Sequence, residues 1–297
     1  MVLKDVFESF AADSPMCVMA QATLASVFAE DRLNTIFDEN ARRQRDGELM
    51  FSTVADMMGS VVCRIRPSIN AAYVAQADEI GVTVKAVYDR LKGIESEVSQ
   101  GLVRETASHM AEIIEATKAT RSELLPGYRV KIVDGNHLRR TDRRIKELRA
   151  LTSAPLPGKA LAVLDPRLML VIDVLLCEDG HAQERRLLPQ LVETIERGDL
   201  WIADRNFCTT TFLFTFFERH AKFVIRQHAG NLRWKLKGRR KRIGEIEAGV
   251  VFEQAMQIFD EDDNVRVIRR ITVELNEPTR DGAVSYTHLT LPTTIKP

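Results

Sequence analysis

Cysteine is scarce in this 297-residue sequence, and the four present, Cys17, Cys63, Cys177 and Cys208, are widely scattered. There is no CxxC and no clustered Cys/His spacing, so neither a zinc site nor a disulfide framework is expected, and the cysteines read as reduced and mostly buried. Long apolar runs are missing as well. No stretch approaches the roughly 18 to 20 uninterrupted apolar residues of a membrane span. Met1 to Phe10 lacks the basic start and apolar run of a signal peptide. These absences predict a soluble, cytoplasmic protein with no membrane partner. Net charge is absent too, since 42 Lys and Arg balance 42 Asp and Glu.

The zero sum hides local segregation, which matters more to a nucleic-acid partner than the total does. One basic cluster spans Arg139 to Lys146. A second spans Arg233 to Arg242, where seven of ten residues are Lys or Arg, and the acidic run Asp260-Glu261-Asp262-Asp263 follows it. The apolar fraction of 45% is enough for a core, and the length suits one large domain or two to three smaller ones.

Residues 1–125 carry apolar positions at three- and four-residue steps with Pro15 and Pro67 as the strong breakers, which predicts a helical N-terminal domain. Within it, Val74, Ala77, Ile80, Val84, Val87 and Leu91 form one apolar stripe, interrupted at Gly81, with Thr83 able to cap a second helix. The spacing of Ala77, Gly81 and Val87 fits a helix-turn-helix over about 72–93; an ordinary helical hairpin is the alternative.

From Tyr128 the texture changes. Tyr128 to Asp134, Lys159 to Leu164 and Leu168 to Cys177 read as strands; a helix with Pro189 in its first turn follows and stops at Gly198. Leu200 to Asp204 is a short apolar strand, Cys208 to Arg219 a Phe-rich helix, and Ala221 to Gln227 another strand. This order over residues 126–230 predicts a mixed α/β sheet covered by helices. Residues 231–283 read as short strands at Val250 to Phe252, Ala255 to Phe259, Val265 to Ile268 and Ile271 to Leu275 with charged turns.

Two aspartates end short apolar strands, in Ile132-Val133-Asp134-Gly135 and Trp201-Ile202-Ala203-Asp204-Arg205. If those strands are neighbours, two hard carboxylates converge on one sheet edge, a setting suited to Mg²⁺ rather than zinc. Two such ions would activate a water toward a phosphodiester and stabilise the leaving oxygen. The competing reading is that each Asp caps a turn, the commonest role of an Asp before Gly.

The segments Ile132-Val-Asp-Gly-Asn-His-Leu and Ile202-Ala-Asp-Arg-Asn-Phe-Cys-Thr resemble the first and second acidic motifs of DDE-type transposases of the insertion-sequence-four group. The resemblance covers roughly Leu125 to Gln227. It implies a ribonuclease H-like catalytic core, preceded by the helical domain and followed by a partial β-rich insertion, with Asp134 and Asp204 as catalytic and metal-holding acids. It also implies two Mg²⁺ or Mn²⁺ ions, DNA as transposon ends and target, and a homodimer at full length. His137, Arg139, Arg140 and Arg205 would lie beside a phosphate, and Arg233, Lys235, Lys237, Arg239 and Arg240 would track the DNA backbone. The family's third motif, Tyr, Arg, Glu and Lys at helical spacing, is absent after Asp204; Glu274 and Glu277 belong to a strand and its turn. Val284 to Thr293 resembles a translated sequencing adapter, so the chain reads as C-terminally truncated, and Val284 to Pro297 is expected not to pack with the domain. An inactive DNA-binding remnant and a ribonuclease H-like cellular nuclease are the rival functions.

Overall fold

The computed structural model describes residues 14–44, 47–137, 158–177, 184–228, 230, 232–280 and 282–291. The chain divides into two compact units, one holding the residues up to 119 and the other most of those from 120 onward.

The first unit is helical, with α1 (Pro15–Val27), α2 (Glu30–Asn40), α3 (Phe51–Val62), α4 (Ile69–Ala75), α5 (Val84–Gly93) and α6 (Ser96–Ala116). The three- and four-residue spacing of Leu33, Ile36 and Phe37 puts them on the buried side of α2, where Phe37 stacks on Phe51 with ring centroids 5.1 Å apart. A second cluster joins Val54 and Met57 of α3 to Ala72, Ile80 and Val87.

The segment resembling a helix-turn-helix departs from its expected form. Thr83 caps α5 by accepting a hydrogen bond from Ala86 N, and Gly81 takes φ +52° in the turn. Val74 and Ala77, however, are exposed rather than part of the buried stripe, and α4 ends at Ala75. Ala72 is the small buried residue instead. The connection between the two helices is therefore longer than the three- or four-residue turn of that motif.

The second unit is built on a nine-stranded mixed sheet. Its strands are β1 (Arg129–His137), β2 (Lys159–Asp165), β3 (Leu170–Cys177), β4 (Asp199–Ala203), β5 (Lys222–Arg226), β6 (Arg233–Ile246), β7 (Gly249–Phe259), β8 (Val265–Leu275) and β9 (Ser285–Thr290). The spatial order is β3-β2-β1-β4-β5-β9-β8-β7-β6. β2 runs antiparallel to β1, whereas β4 and β5 continue parallel to it. The first five strands thus have the ribonuclease H-like order. Helices α7 (Leu188–Glu193) and α8 (Thr210–Glu218) link β3 to β4 and β4 to β5.

Strand alternation separates two faces. Val133, Leu161, Val163, Trp201, Phe223 and Ile225 share the deeply buried one, where Phe216 of α8 meets Phe223 at a centroid distance of 5.2 Å. Ile132, Leu164, Ile202 and Val224 share the other and are half-buried.

The C-terminal half differs from expectation in three respects. The short runs predicted within 250–275 merge into the two long strands β7 and β8, whose Met256, Ile258 and Ile268 are fully buried. The basic stretch forms the edge strand β6, exposed along its whole length. Of the Val284 to Pro297 segment expected not to pack, Ser285 to Leu291 does: β9 lies between β5 and β8, with Leu289 inaccessible to solvent and Leu291 buried, while Val284 is exposed and 292–297 lie outside the described residues. The cause is strand-like alternation. Leu289 pairs with Ile225 on the buried face, and the segment's backbone satisfies the edges of β5 and β8, which would otherwise both be open. Cys63 also departs from its expected burial, being exposed, whereas Cys208 is buried.

Candidate active site

The pairing of β1 with β4 is fixed at the strand ends remote from the two acids. Asp199, inaccessible to solvent, lies 2.9 Å from Lys131 Nζ and 3.0 Å from Arg129 Nη2, and it accepts hydrogen bonds from Glu196 N and from Trp201 Nε1. Arg129 also reaches Glu196 at 2.8 Å. This charged clasp ties the beginning of β1 to the beginning of β4 in the register Arg129↔Asp199 through Val133↔Ala203.

Asp134 follows Val133 and Asp204 follows Ala203, so each acid comes directly after the last partners of that register; Asp134 lies within β1, which continues along β2 to His137 rather than ending at the acid as the sequence suggests, and Asp204 lies just beyond β4. Neighbouring strands are about 4.8 Å apart, and matching register sends both side chains to the half-buried face. The C-terminal edge of parallel strands is where open sheets bind ligands. Both residues are exposed. Asp134 Oδ1 accepts from Gly135 N at 2.9 Å, and Asp204 Oδ1 from Asn206 N at 2.8 Å. The second bond makes Asp204 the cap of a 3₁₀ turn, Arg205–Phe207. Capping occupies one oxygen of Asp204, and among the described residues the other oxygen of each carboxylate accepts no hydrogen bond.

Two exposed carboxylates, each held through one oxygen and open at the other, fit a hard divalent cation. Among the described residues no three His, Cys, Asp or Glu side chains gather as a metal-holding group.

The remaining residues singled out from the sequence fall in several places. Arg205 opens the 3₁₀ turn beside Asp204 and is exposed. His137 ends β1, and its side chain, like Arg139 and Arg140, lies outside the described residues. Arg233, Lys235, Lys237, Arg239 and Arg240 lie on β6, four strands beyond β5 in the sheet and remote from the acids along it. Arg233 is engaged by Asp263 at 2.7 Å and by the Asp260 carbonyl, and Arg240 by Glu274 at 2.7 Å and by the Phe252 ring. Lys235, Lys237 and Arg239 make no such contact among the described residues.

One contributor was not singled out from the sequence. Arg185, in the 3₁₀ turn Glu184–Leu187 before α7, donates Nε to the Asn206 carbonyl at 3.1 Å. Its charge also reaches Cys208, whose thiol burial pushes up while the His228 backbone and Arg185 oppose the shift. No local signal could have revealed this contact, since it spans 21 positions and an Arg in a charged Glu-Arg-Arg run reads as solvated surface.

No curated protein matches the chain. Residues 125–277 match the family model described as the transposase DDE domain, a span that begins just before β1, contains both aspartates and ends just after β8. That span is a little over half of the 297 residues, and on it the chain belongs to the transposase DDE domain family.

Proposed function

We propose that this chain is a transposase of the insertion-sequence-four group in which Asp134 and Asp204 are the first two catalytic acids. The observation that supports the reading is the parallel register of β1 and β4, in which Val133 and Ala203, the residues directly before the two acids, are partners. Together they would hold divalent ions, Mg²⁺ or Mn²⁺, which supply charge neutralisation at the scissile phosphate and activation of the attacking oxygen. The protein's own part is positional. The Asp199 clasp sets the register that brings the acids together, the flanking backbone N–H groups orient one oxygen of each, and Arg205 stands beside Asp204 to steady a non-bridging phosphate oxygen. The exposed basic residues of β6 would follow DNA away from the acids.

No third carboxylate joins the pair among the described residues. This favours the narrower reading that the chain by itself binds DNA and metal without completing strand cleavage. Anisotropy of a labelled duplex tests both parts. Mn²⁺ is expected to tighten DNA binding by the natural protein and to have no such effect on Asp134→Asn or Asp204→Asn. An equal Mn²⁺ effect on all three would remove the acids from the site. Nicking of the same duplex is expected to be absent; nicking that Asp204→Asn abolishes would overturn the claim of inactivity.

A further inference from the structure

We infer that Arg185 is a positioning residue for Asp204, acting through the peptide group of Asn206. This rests on the reading of Asp204 as a metal-holding acid and adds a part that neither the motifs nor the strand order supplies.

The geometry is a short relay. Arg185 Nε donates to the Asn206 carbonyl at 3.1 Å, and the N–H of Asn206 donates to Asp204 Oδ1 at 2.8 Å. A charged donor on a residue's carbonyl and a charged acceptor on its N–H restrain the short turn between them, and hydrogen bonds in sequence polarise one another. The relay fixes which oxygen of Asp204 is occupied and leaves Oδ2 for a ligand.

Arg205–Phe207 is a single 3₁₀ turn, closed by Phe207 N to Asp204 O and Cys208 N to Arg205 O, and anchored below by the buried Phe207 and Cys208. Those anchors hold the far end of the turn. Arg185 holds its exposed shoulder at Asn206, from an element that precedes α7 and is remote in sequence. Arg185 is only half-buried, so its removal leaves no uncompensated buried group. The consequence falls on the orientation of the Asp204 carboxylate.

Outer hydrogen-bond partners of metal ligands typically contribute about 10-fold or more to metal affinity. The test measures Mn²⁺ affinity of the full chain by electron paramagnetic resonance, together with hydrogen exchange at the Asn206 amide. Arg185→Gln is expected to weaken Mn²⁺ binding by about 10-fold and to speed Asn206 exchange, with Arg185→Lys restoring part of both. Arg219→Gln, which breaks the exposed Arg219 to Glu193 pair, serves as the control for general softening and is expected to leave Mn²⁺ affinity unchanged. Natural affinity in Arg185→Gln, with weakened binding in Asp204→Asn, would overturn the relay while leaving the acid pair intact. An equal weakening in Arg219→Gln would overturn it as well. Natural affinity in both Asp134→Asn and Asp204→Asn would instead dismiss the acid pair on which the relay rests.

Discussion

Asp134 and Asp204 stand out in the sequence because each ends an apolar strand, and their flanking residues resemble a known pair of motifs. Their mutual register does not stand out, because it is set elsewhere, by Asp199 and its partners Lys131 and Arg129. A buried carboxylate with cationic partners is costly to disrupt, since the largely buried Lys131 loses its counter-charge while the exposed Arg129 keeps Glu196. Asp199→Ala is therefore expected to lower unfolding free energy by about 3 to 5 kcal/mol in urea titrations, and a change below 1 kcal/mol, roughly that of an exposed pair, would exclude a structural clasp. Glu95 offers a residue-level pH dependence. Its carboxylate accepts from the backbone N–H groups of Arg43 and Arg42, the Arg43 bond being the larger cause of a folded pKa below the ordinary 4.5. A depressed folded pKa gives stability that is fully present above the unfolded value and fades as pH falls through the folded one. Acid titration of thermal stability should show this decline in the natural protein and a smaller one in Glu95→Gln.

At the scale of elements, β1 to β5 and the intervening helices were legible because each combines a short apolar run with a turn signal, such as Pro189 at the start of α7 or Gly198, with φ +87°, before β4. The β-rich half was less legible. Polar residues interrupt its apolar pattern, for example Arg269 and Arg270 within β8, so one long strand reads as two short ones. Arg269 is accommodated by Glu253 on the neighbouring strand, at 2.7 Å, a cross-strand pair that no local pattern announces. Gly249 marks the tight spot of this meander, because a Cβ there would come within 1.9 Å of the Glu274 carbonyl oxygen. Gly249→Ala should destabilise the sheet unit by more than about 2 kcal/mol, as overpacking against backbone does; an unchanged urea midpoint would contradict the close β7–β8 approach. On β6 the like charges discourage pairing of the open edge with another copy of itself. Among the described residues Lys235, Lys237 and Arg239 make no ion pair, and under the proposed function they would meet phosphate. Replacing them with Gln is expected to reduce the slope of log affinity against log salt by about 0.9 for each DNA phosphate no longer neutralised, whereas an unchanged slope would assign the edge to solvent.

For the whole molecule, equal numbers of acidic and basic residues conceal a spatial separation of charge. Asp134 within β1 and Asp204 just after β4 follow the last partners of their parallel register, and the densest basic run lies on the far edge of the same sheet. The mixed α/β architecture followed from the order of elements, and the ribonuclease H-like core from the resemblance of the two acidic motifs to their family. The place of Val284 to Thr290 did not, because a segment that resembles adapter sequence also alternates like a strand and finds two open edges to bridge. Among the described residues no helix is long and apolar enough to cross a membrane. Iron-directed self-cleavage tests the central claim, that Asp134 and Asp204 share one divalent-cation site. With Fe²⁺, ascorbate and peroxide, backbone scission mapped by mass spectrometry is expected next to both Asp134 and Asp204, and to disappear at both positions in either Asp→Asn variant; scission elsewhere, or scission at one aspartate that survives substitution of the other, would contradict the account.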